Sequence, residues 1–471
     1  MRSFAALLAV AVLAAGWPAA AQDTRAARAE REQQAQVLEG LGGAYDGPQA
    51  AYVSRIGERM AAVAGLRGRC VFTLVNSEVV NAFAAPPGCH VYVTRGLLSL
   101  LNSEAELAAV LGHEVGHVAA DHATRQRNQQ VATGLAAALV GALAKSDLVG
   151  EVAGKAAQLG VLSYSRNQEF EADNLSLHYL PLAGYDPRAL AAVLDALQRE
   201  EAFTAHTAGT SRSLPAWAST HPLTADRIRR ADDGAAGGAA DPGLEVGAPA
   251  FLAALDGLAY GDDPVGGVIR GGAFLHPGLR IGFQAPGGFR LVNASRAVGI
   301  EGPGALRGEF AAGRATAGRL EDYAAQVLAA VAGSTPLQAE RPQHTVINGL
   351  DAVVLAARAF PRSGPVDLTV AAYAVGDGRA YHFVTIAPVG QGRAVDDLIG
   401  SFHRLSEREA AAVGARRISV VTVRAGDTSE SLAARMAGEA RLERFRLLNA
   451  LDPGEALAPG RKVKLVVDGG G

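Results

Sequence analysis

The chain has 471 residues, with 44 Lys or Arg against 47 Asp or Glu and a formal net charge of −3 at pH 7. A balance this close to neutral points away from a nucleic-acid partner, and the length asks for more than one domain. Only two cysteines are present, with no metal-site spacing, so any metal chemistry has to come from His and carboxylates.

At the N-terminus Arg2 precedes the apolar run Phe4–Trp17, and the small residues Ala19, Ala20 and Ala21 follow. This predicts a secretory signal peptide over residues 1–21, cleaved before Gln22, and a periplasmic destination. The run is shorter than the ~20 residues that span a bilayer, which places a retained anchor second. In an oxidising compartment Cys70 and Cys89 are a candidate disulfide. Two buried thiols are the alternative, since sequence does not show whether their Cα atoms come within bridging distance.

Ser103-Glu104-Ala105-Glu106 reads as a capping box that opens a helix. Leu107, Val110, Leu111 and Val118 then recur at helical spacing. Glu114 falls on that apolar stripe, where a carboxylate needs a strong partner. It lies inside His113-Glu114-Val115-Gly116-His117, the HExxH pattern in which two imidazoles on one helix side bind zinc and the Glu is the general base. A third His ten residues after the first is missing, because Ala occupies position 123 and His122 is one residue off register. The run 131–144 (VATGLAAALVGALA) is too short to span a membrane. It reads as a small-residue helix packed on the core, with peripheral membrane contact as the other use. Ser165 to Asp173 then offers Glu169 and Asp173, four residues apart on one helical face. Two acids so placed repel each other unless one ligates a metal and the other orients a ligating His. Next come Ser219-Thr220-His221-Pro222 and a Gly/Ala-rich break at 233–238.

These motifs, with Asn81-Ala82-Phe83-Ala84-Ala85-Pro86-Pro87-Gly88 and His90 to Leu98, resemble the HtpX/BepA-like zinc metallopeptidases over roughly residues 40–232. The resemblance implies one zinc ion per chain held by His113, His117 and Glu169. It makes Glu114 the base, Asp173 the support of a ligand, and His221 either a plug in the open metal position or a stabiliser of the oxyanion. It also implies that the strand near Gly88–Val93 lies along the cleft and pairs with an extended substrate, with Asn81, Gly88 and Val91 as candidate substrate-binding residues.

Beyond the peptidase region (22–235), residues 236–272 read as a linker holding a short amphipathic helix, Phe251–Leu258. Residues 273–408 read as an α+β accessory domain, an antiparallel sheet with helices on one face, resembling the PsbP-like fold. Its predicted strands include Arg280–Gln284, Phe289–Val292, Ala352–Phe360, Leu368–Val375 and Ala380–Ile386, with helices over Leu320–Ala332 and Ala394–Phe402. Residues 416–468 (strand, Gly426-Asp427-Thr428 turn, two helices, Asn449, Pro459-Gly460, strand) resemble a LysM domain. That resemblance implies peptidoglycan binding, with Gly426, Asp427 and Thr428 as candidate glycan contacts. The predicted fold class is therefore multidomain: a mainly α-helical gluzincin peptidase with a small β-sheet, an α+β accessory domain and a small βααβ LysM-like domain. The predicted function is a periplasmic zinc endopeptidase acting on misfolded, stalled or outer-membrane proteins. The alternatives are a wall-tethered, chaperone-like protein with gated proteolysis and a peptidoglycan peptide hydrolase.

Overall fold

The computed structural model describes residues 19–132, 164–207, 217, 220–222, 225–236, 244–293, 297–314, 319–361, 363–376 and 378–469. The expected signal peptide up to residue 18, and all but the first two residues of the 131–144 run, lie outside the described residues. Among the described residues no helix is long and apolar enough to cross a membrane.

The first lobe begins with α1 (Ala19–Gly40) and α2 (Pro48–Val63), followed by β1 (Cys70–Val75), β2 (Ala82–Ala85), β3 (Cys89–Thr94), α3 (Arg95–Leu100), α4 (Glu104–Ala119) and α5 (His122–Ala132). It continues with α6 (Arg166–Leu182), α7 (Ala189–Thr207) and α8 (Ala225–Ala236). The sheet order is β1-β3-β2, so β3 is central and β2 is an edge. Cys70 and Cys89 face each other in the parallel β1–β3 register with Cα atoms 4.5 Å apart, and they are joined as a disulfide.

Helix α4 is buried almost all round from Glu104 to His117. Its glycines set how closely α6 approaches. A Cβ on Gly112 would stand 3.0 Å from the Ser176 hydroxyl, and one on Gly116 would stand 3.3 Å from the Ala172 carbonyl. Both distances are tighter than ordinary packing, so glycine lets the two backbones meet and brings the α6 carboxylates to the α4 imidazoles. The expected capping box is altered in one respect. Ser103 accepts from the Glu106 amide, but the Glu106 carboxylate takes the amide of Asn102 rather than that of Ser103.

The expected linker does not behave as one. Helix α9 (Ala248–Leu255) buries Phe251, Leu252 and Leu255 in the core of the first lobe, and β4 (Ala259–Tyr260) pairs with a strand of the last lobe. The helix starts three residues before Phe251, at Ala248, because Pro at its second position suits a first turn.

The accessory lobe starts at β5 (Val268–Arg270) rather than at 273. It holds β6 (Ala273–His276), β7 (Ile281–Gln284), β8 (Arg290–Asn293), β9 (Ala297–Glu301), β10 (Arg307–Arg314), α10 (Leu320–Ala332), β11 (Leu337–Ala339) and β12 (Gln343–Ile347). Then come β13 (Leu350–Ala359), β14 (Val366–Ala374), β15 (Arg379–Pro388), α11 (Asp396–Gly400), β16 (His403–Arg404) and α12 (Glu407–Ala412). An eight-stranded antiparallel sheet runs β11-β13-β14-β15-β10-β9-β8, with β12 also on β13. The expectation of helices on one face holds only in part. Helix α10 covers one face, while a second sheet, β16-β7-β6-β5, covers the other through Phe274 and Phe283 against Phe310 and Phe383. Strands β9 and β10 escape sequence reading because glycine and alanine break their apolar alternation.

The last lobe has the expected βααβ order: β17 (Arg416–Thr422), α13 (Ser429–Ala433), α14 (Arg441–Leu448) and β18 (Lys462–Asp468). It is not a separate bead. Ile418, Phe445 and Leu465 belong to the same core as Leu107, Leu111 and Phe251. Lys464, fully buried, donates to the carbonyls of Ser99, Leu100 and Leu101 at 2.8, 3.2 and 2.6 Å. A cation at the C-terminal end of α3 is well placed electrostatically, and it holds the turn from which α4 springs. Burial, only partly offset by Glu106, brings its pKa down to about 7. Lys464→Ala leaves three buried carbonyls without this donor and opens a cavity, so it should cost roughly 2–4 kcal/mol. Denaturant unfolding followed at both the first and last lobes should show one shared transition moved to lower denaturant.

Candidate metal centre

Four side chains converge where α4, α6 and the segment before α8 meet. Donor atoms of His113, His117, Glu169 and His221 all lie within 4.8 Å of one another, and all four residues are buried. The two α4 imidazoles approach each other at 3.0 Å between Nε2 atoms. Glu169 Oε1 lies 3.4 Å from His117 Nε2, and Glu169 Oε2 lies 3.6 Å from His113 Nε2. Such separations are short enough for all three side chains to reach one ion.

His221 enters this group from the opposite wall. Its Nδ1 is 3.3 Å from His113 Nε2 and 3.1 Å from Glu169 Oε1, and its Nε2 is 3.6 Å from Glu114 Oε1. The ring stacks on Trp217 with centroids 4.4 Å apart, and its amide donates to the Trp217 carbonyl. On the other side Tyr164 stacks on His117 with centroids 4.0 Å apart. Two aromatic walls thus hold the imidazoles in place.

Glu114 is fully buried, and neither carboxylate oxygen has a hydrogen-bond partner among the described residues. Burial pushes its pKa up, against the pull of His221 and His113. For Glu169 burial works in the same direction, but His221, His117 and Arg227 outweigh it and hold the carboxyl well below the usual range.

Support behind the four residues comes from charge. Asp173 Oδ1 lies 3.0 Å from His113 Nδ1. Arg227, buried on α8, forks onto both Asp173 oxygens at 2.7 Å and reaches Glu169 Oε2 at 2.7 Å. Arg227 is a functional residue that the sequence motifs do not single out. His122 was set aside as off register, and it does lie outside the four-residue cluster. Its Nδ1 nevertheless sits 2.8 Å from His117 Nδ1, and its Nε2 lies 3.1 Å from Glu171. It supports the second α4 imidazole as Asp173 supports the first.

The donor set passes a simple test for a divalent ion. Two neutral imidazoles and one carboxylate, with one further position, are the ligands of a hydrolytic zinc site. Two buried carboxylates held in the ionised form, Glu169 and Asp173, share one buried guanidinium, so a cation among the donors would compensate the remainder.

The other predicted residues fare unevenly. A cleft of about 510 Å3 beside His117 is lined by Gln33, Ala84 to Gly88, Thr124, Arg127 and Tyr164. Gly88 therefore lies on the cleft. Val91 does not: it is wholly buried in central strand β3, and its backbone is flanked by β1 and β2. The strand that borders the cleft is the edge strand β2, not Gly88–Val93. Asn81 is also buried, 1% exposed, with its side-chain amide unpartnered among the described residues. In the last lobe Gly426 makes the turn at φ +90°, the Asp427 carboxylate accepts the Arg424 amide at 2.7 Å, and Thr428 caps α13. These residues shape the loop, and two of the side chains are committed to it.

Comparison with known proteins agrees with this geometry. The fold and the four converging side chains define a metallopeptidase lobe. The model of peptidase family M48 matches residues 48–235. Metalloprotease LoiP of Escherichia coli (strain K12) is 31% identical over 193 residues, 38% of this chain and 71% of that one. The beta-barrel assembly-enhancing protease of Yersinia pestis is 31% identical over 196 residues, and the mitochondrial metalloendopeptidase OMA1 of Schizosaccharomyces pombe is 32% identical over 190. The match covers 38% of the Yersinia protein's length and 53% of the yeast one. The chain belongs to peptidase family M48. A solved structure of cyanobacterial PsbP from Synechocystis sp. PCC 6803 aligns with 28% of this chain and 91% of its own at 12% identity and a TM-score of 0.24, too slight a likeness to carry an argument.

Arg227→Met removes the only guanidinium described within the cluster and leaves Asp173 and Glu169 facing each other. Metal affinity should fall about 10–100-fold, the range for lost ligand supports. A zinc competition titration against a chromogenic chelator measures it.

Proposed function

We propose that the protein is a zinc endopeptidase of the bacterial periplasm that cleaves misfolded or stalled envelope proteins. The observation that carries this reading is Glu114: a fully buried carboxylate whose nearest charged group is His221, beside a two-imidazole, one-carboxylate donor set of which His117 lines the cleft. Zinc held by His113, His117 and Glu169 would polarise the scissile carbonyl and acidify the attacking water. Glu114, whose burial favours holding a proton, takes one from that water and returns it to the leaving amine. Asp173 and His122 keep the two imidazoles turned inward. The edge strand β2 offers unpaired backbone to an extended substrate, so recognition falls on main chain more than on side chains. That suits unfolded proteins of many sequences. One relative is named for beta-barrel assembly, which favours envelope proteins over cell-wall peptides as substrates.

His221 sits among the donor atoms rather than beside them, so it would have to withdraw before a substrate carbonyl could reach a metal held there. We read it as a plug that keeps the resting enzyme slow. The last lobe is the proposed tether to peptidoglycan, since its loops 424–428 and 452–460 are largely exposed, away from the core shared with the peptidase.

Three measurements test this. Glu114→Gln should lower casein cleavage by at least ~100-fold while zinc content stays at one per chain; unchanged cleavage sinks the peptidase reading. His221→Ala should raise turnover several-fold; a fall in kcat would instead assign His221 to the oxyanion. Sedimentation with peptidoglycan sacculi should be competed by soluble N-acetylglucosamine oligomers, and no sedimentation removes the tether.

A further inference from the structure

Attack on a peptide carbonyl puts negative charge on its oxygen, and a preorganised hydrogen-bond donor facing that oxygen removes a large part of the barrier. The side chains already placed at the metal centre do not supply one. Glu114 and Glu169 are carboxylates, Arg227 is committed to Asp173 and Glu169, and His221 is the plug. Along the cleft, Gln33 donates to the Pro86 carbonyl at 2.9 Å, and Asp121 offers a carboxylate. Thr124 and Arg127 are exposed on α5. The buried Trp217 Nε1 lacks a partner among the described residues, but Trp217 is not a wall of this cleft.

Tyr164 differs from all of these. It lines the cleft, yet it is only 5% exposed. Its ring lies 19° from parallel with the His117 imidazole, with centroids 4.0 Å apart, and its centroid is 5.9 Å from that of His221. Its amide donates to the Thr220 carbonyl at 3.3 Å, which ties the backbone to the segment carrying His221. Burial pushes the phenol up from its ordinary range, and the charges of Glu114 and Glu169 push it further. The hydroxyl therefore keeps its proton and lies within the field of both carboxylates.

That hydroxyl makes no hydrogen bond among the described residues. A buried tyrosine ordinarily gives its O–H a partner, so one left without a partner on a cleft wall calls for an explanation. Packing does not provide it, because phenylalanine would stack on His117 equally well.

We infer that Tyr164 is a further catalytic residue, whose hydroxyl donates to the carbonyl oxygen of the scissile bond as that oxygen gains negative charge. This rests on the peptidase reading of the metal centre. The bond is weak to a planar carbonyl and strengthens as charge develops, so it lowers the barrier more than it tightens substrate binding. The stack on His117 fixes the ring beforehand, so little reorganisation is needed. Tyr164 keeps its proton throughout, and Glu114 remains the group that moves one.

The test compares the full zinc-loaded chain with Tyr164→Phe, which keeps the ring and removes a hydroxyl that bonds nothing in the fold. Zinc content and melting temperature should be unchanged. With a fluorogenic peptide derived from casein, kcat should fall about 100-fold, the scale for one lost donor, while KM stays nearly constant. A second readout does not depend on turnover. Calorimetric binding of a phosphonamidate peptide, whose tetrahedral oxygens mimic the charged state, should weaken about as much as kcat falls. Binding of the uncleaved peptide should be equal in Glu114→Gln and in Glu114→Gln/Tyr164→Phe. A loss under about tenfold in either kcat or phosphonamidate binding overturns the role of Tyr164, while cleavage by the wild-type chain leaves the peptidase reading standing. Equal weakening of substrate and phosphonamidate also overturns it, since Tyr164 would then only shape the cleft. If the zinc-loaded wild-type chain cleaves nothing, the peptidase reading fails and this role fails with it.

Discussion

The active-site architecture hangs on one buried guanidinium. Arg227 makes two bonds to Asp173 and one to Glu169, and through Asp173 it bears on His113. Without it two carboxylates one helical turn apart on α6 would repel each other in a sealed space. With it Glu169 is held among the four candidate donors and Asp173 against His113. Arg227 also follows His221 by six residues, so the same anchor holds down the segment that places the fourth side chain. Removing the arginine would strand buried charge, which costs more than any surface pair is worth.

The second constraint is the shared core. The last lobe looks in sequence like a module appended at the end, yet Lys464 reaches the end of α3, two residues before the Ser103 cap of α4. The chain between the lobes is likewise used as structure, with Phe251 in the first core and β4 in the last sheet. A strain or ligand felt by the last lobe therefore meets the base of the HExxH helix through packed atoms rather than a flexible tether. Lobes joined in this way move less freely than lobes joined by exposed linkers.

Much of the centre was legible because helical spacing is a strong constraint. HEVGH had to place two imidazoles on one side of α4, and Glu114 had to fall on the buried stripe. The spacing of Glu169 and Asp173 likewise put both acids on one face of α6, and that face meets the α4 imidazoles. The boundaries of α10 were readable for the same reason. Arg227 and His122 were not readable, because their partners lie on other helices and no local pattern encodes that. The cleft strand was misassigned to Gly88–Val93 because an apolar run does not say whether a strand is central or an edge. The sheet order decided that, and it moved Val91 into the core.

By itself the sequence determined the metallopeptidase motifs, the helix that carries them, the cysteine pair that could bridge and the βααβ order of the last lobe. Each depends on residues close in sequence or on fixed periodicity. Only the tertiary structure decided that the cysteines bridge, that His221 stands among the metal-site donors and that the last lobe shares the peptidase core. These depend on how elements far apart in the chain are brought together, and side-chain chemistry at a distance leaves no period in the sequence.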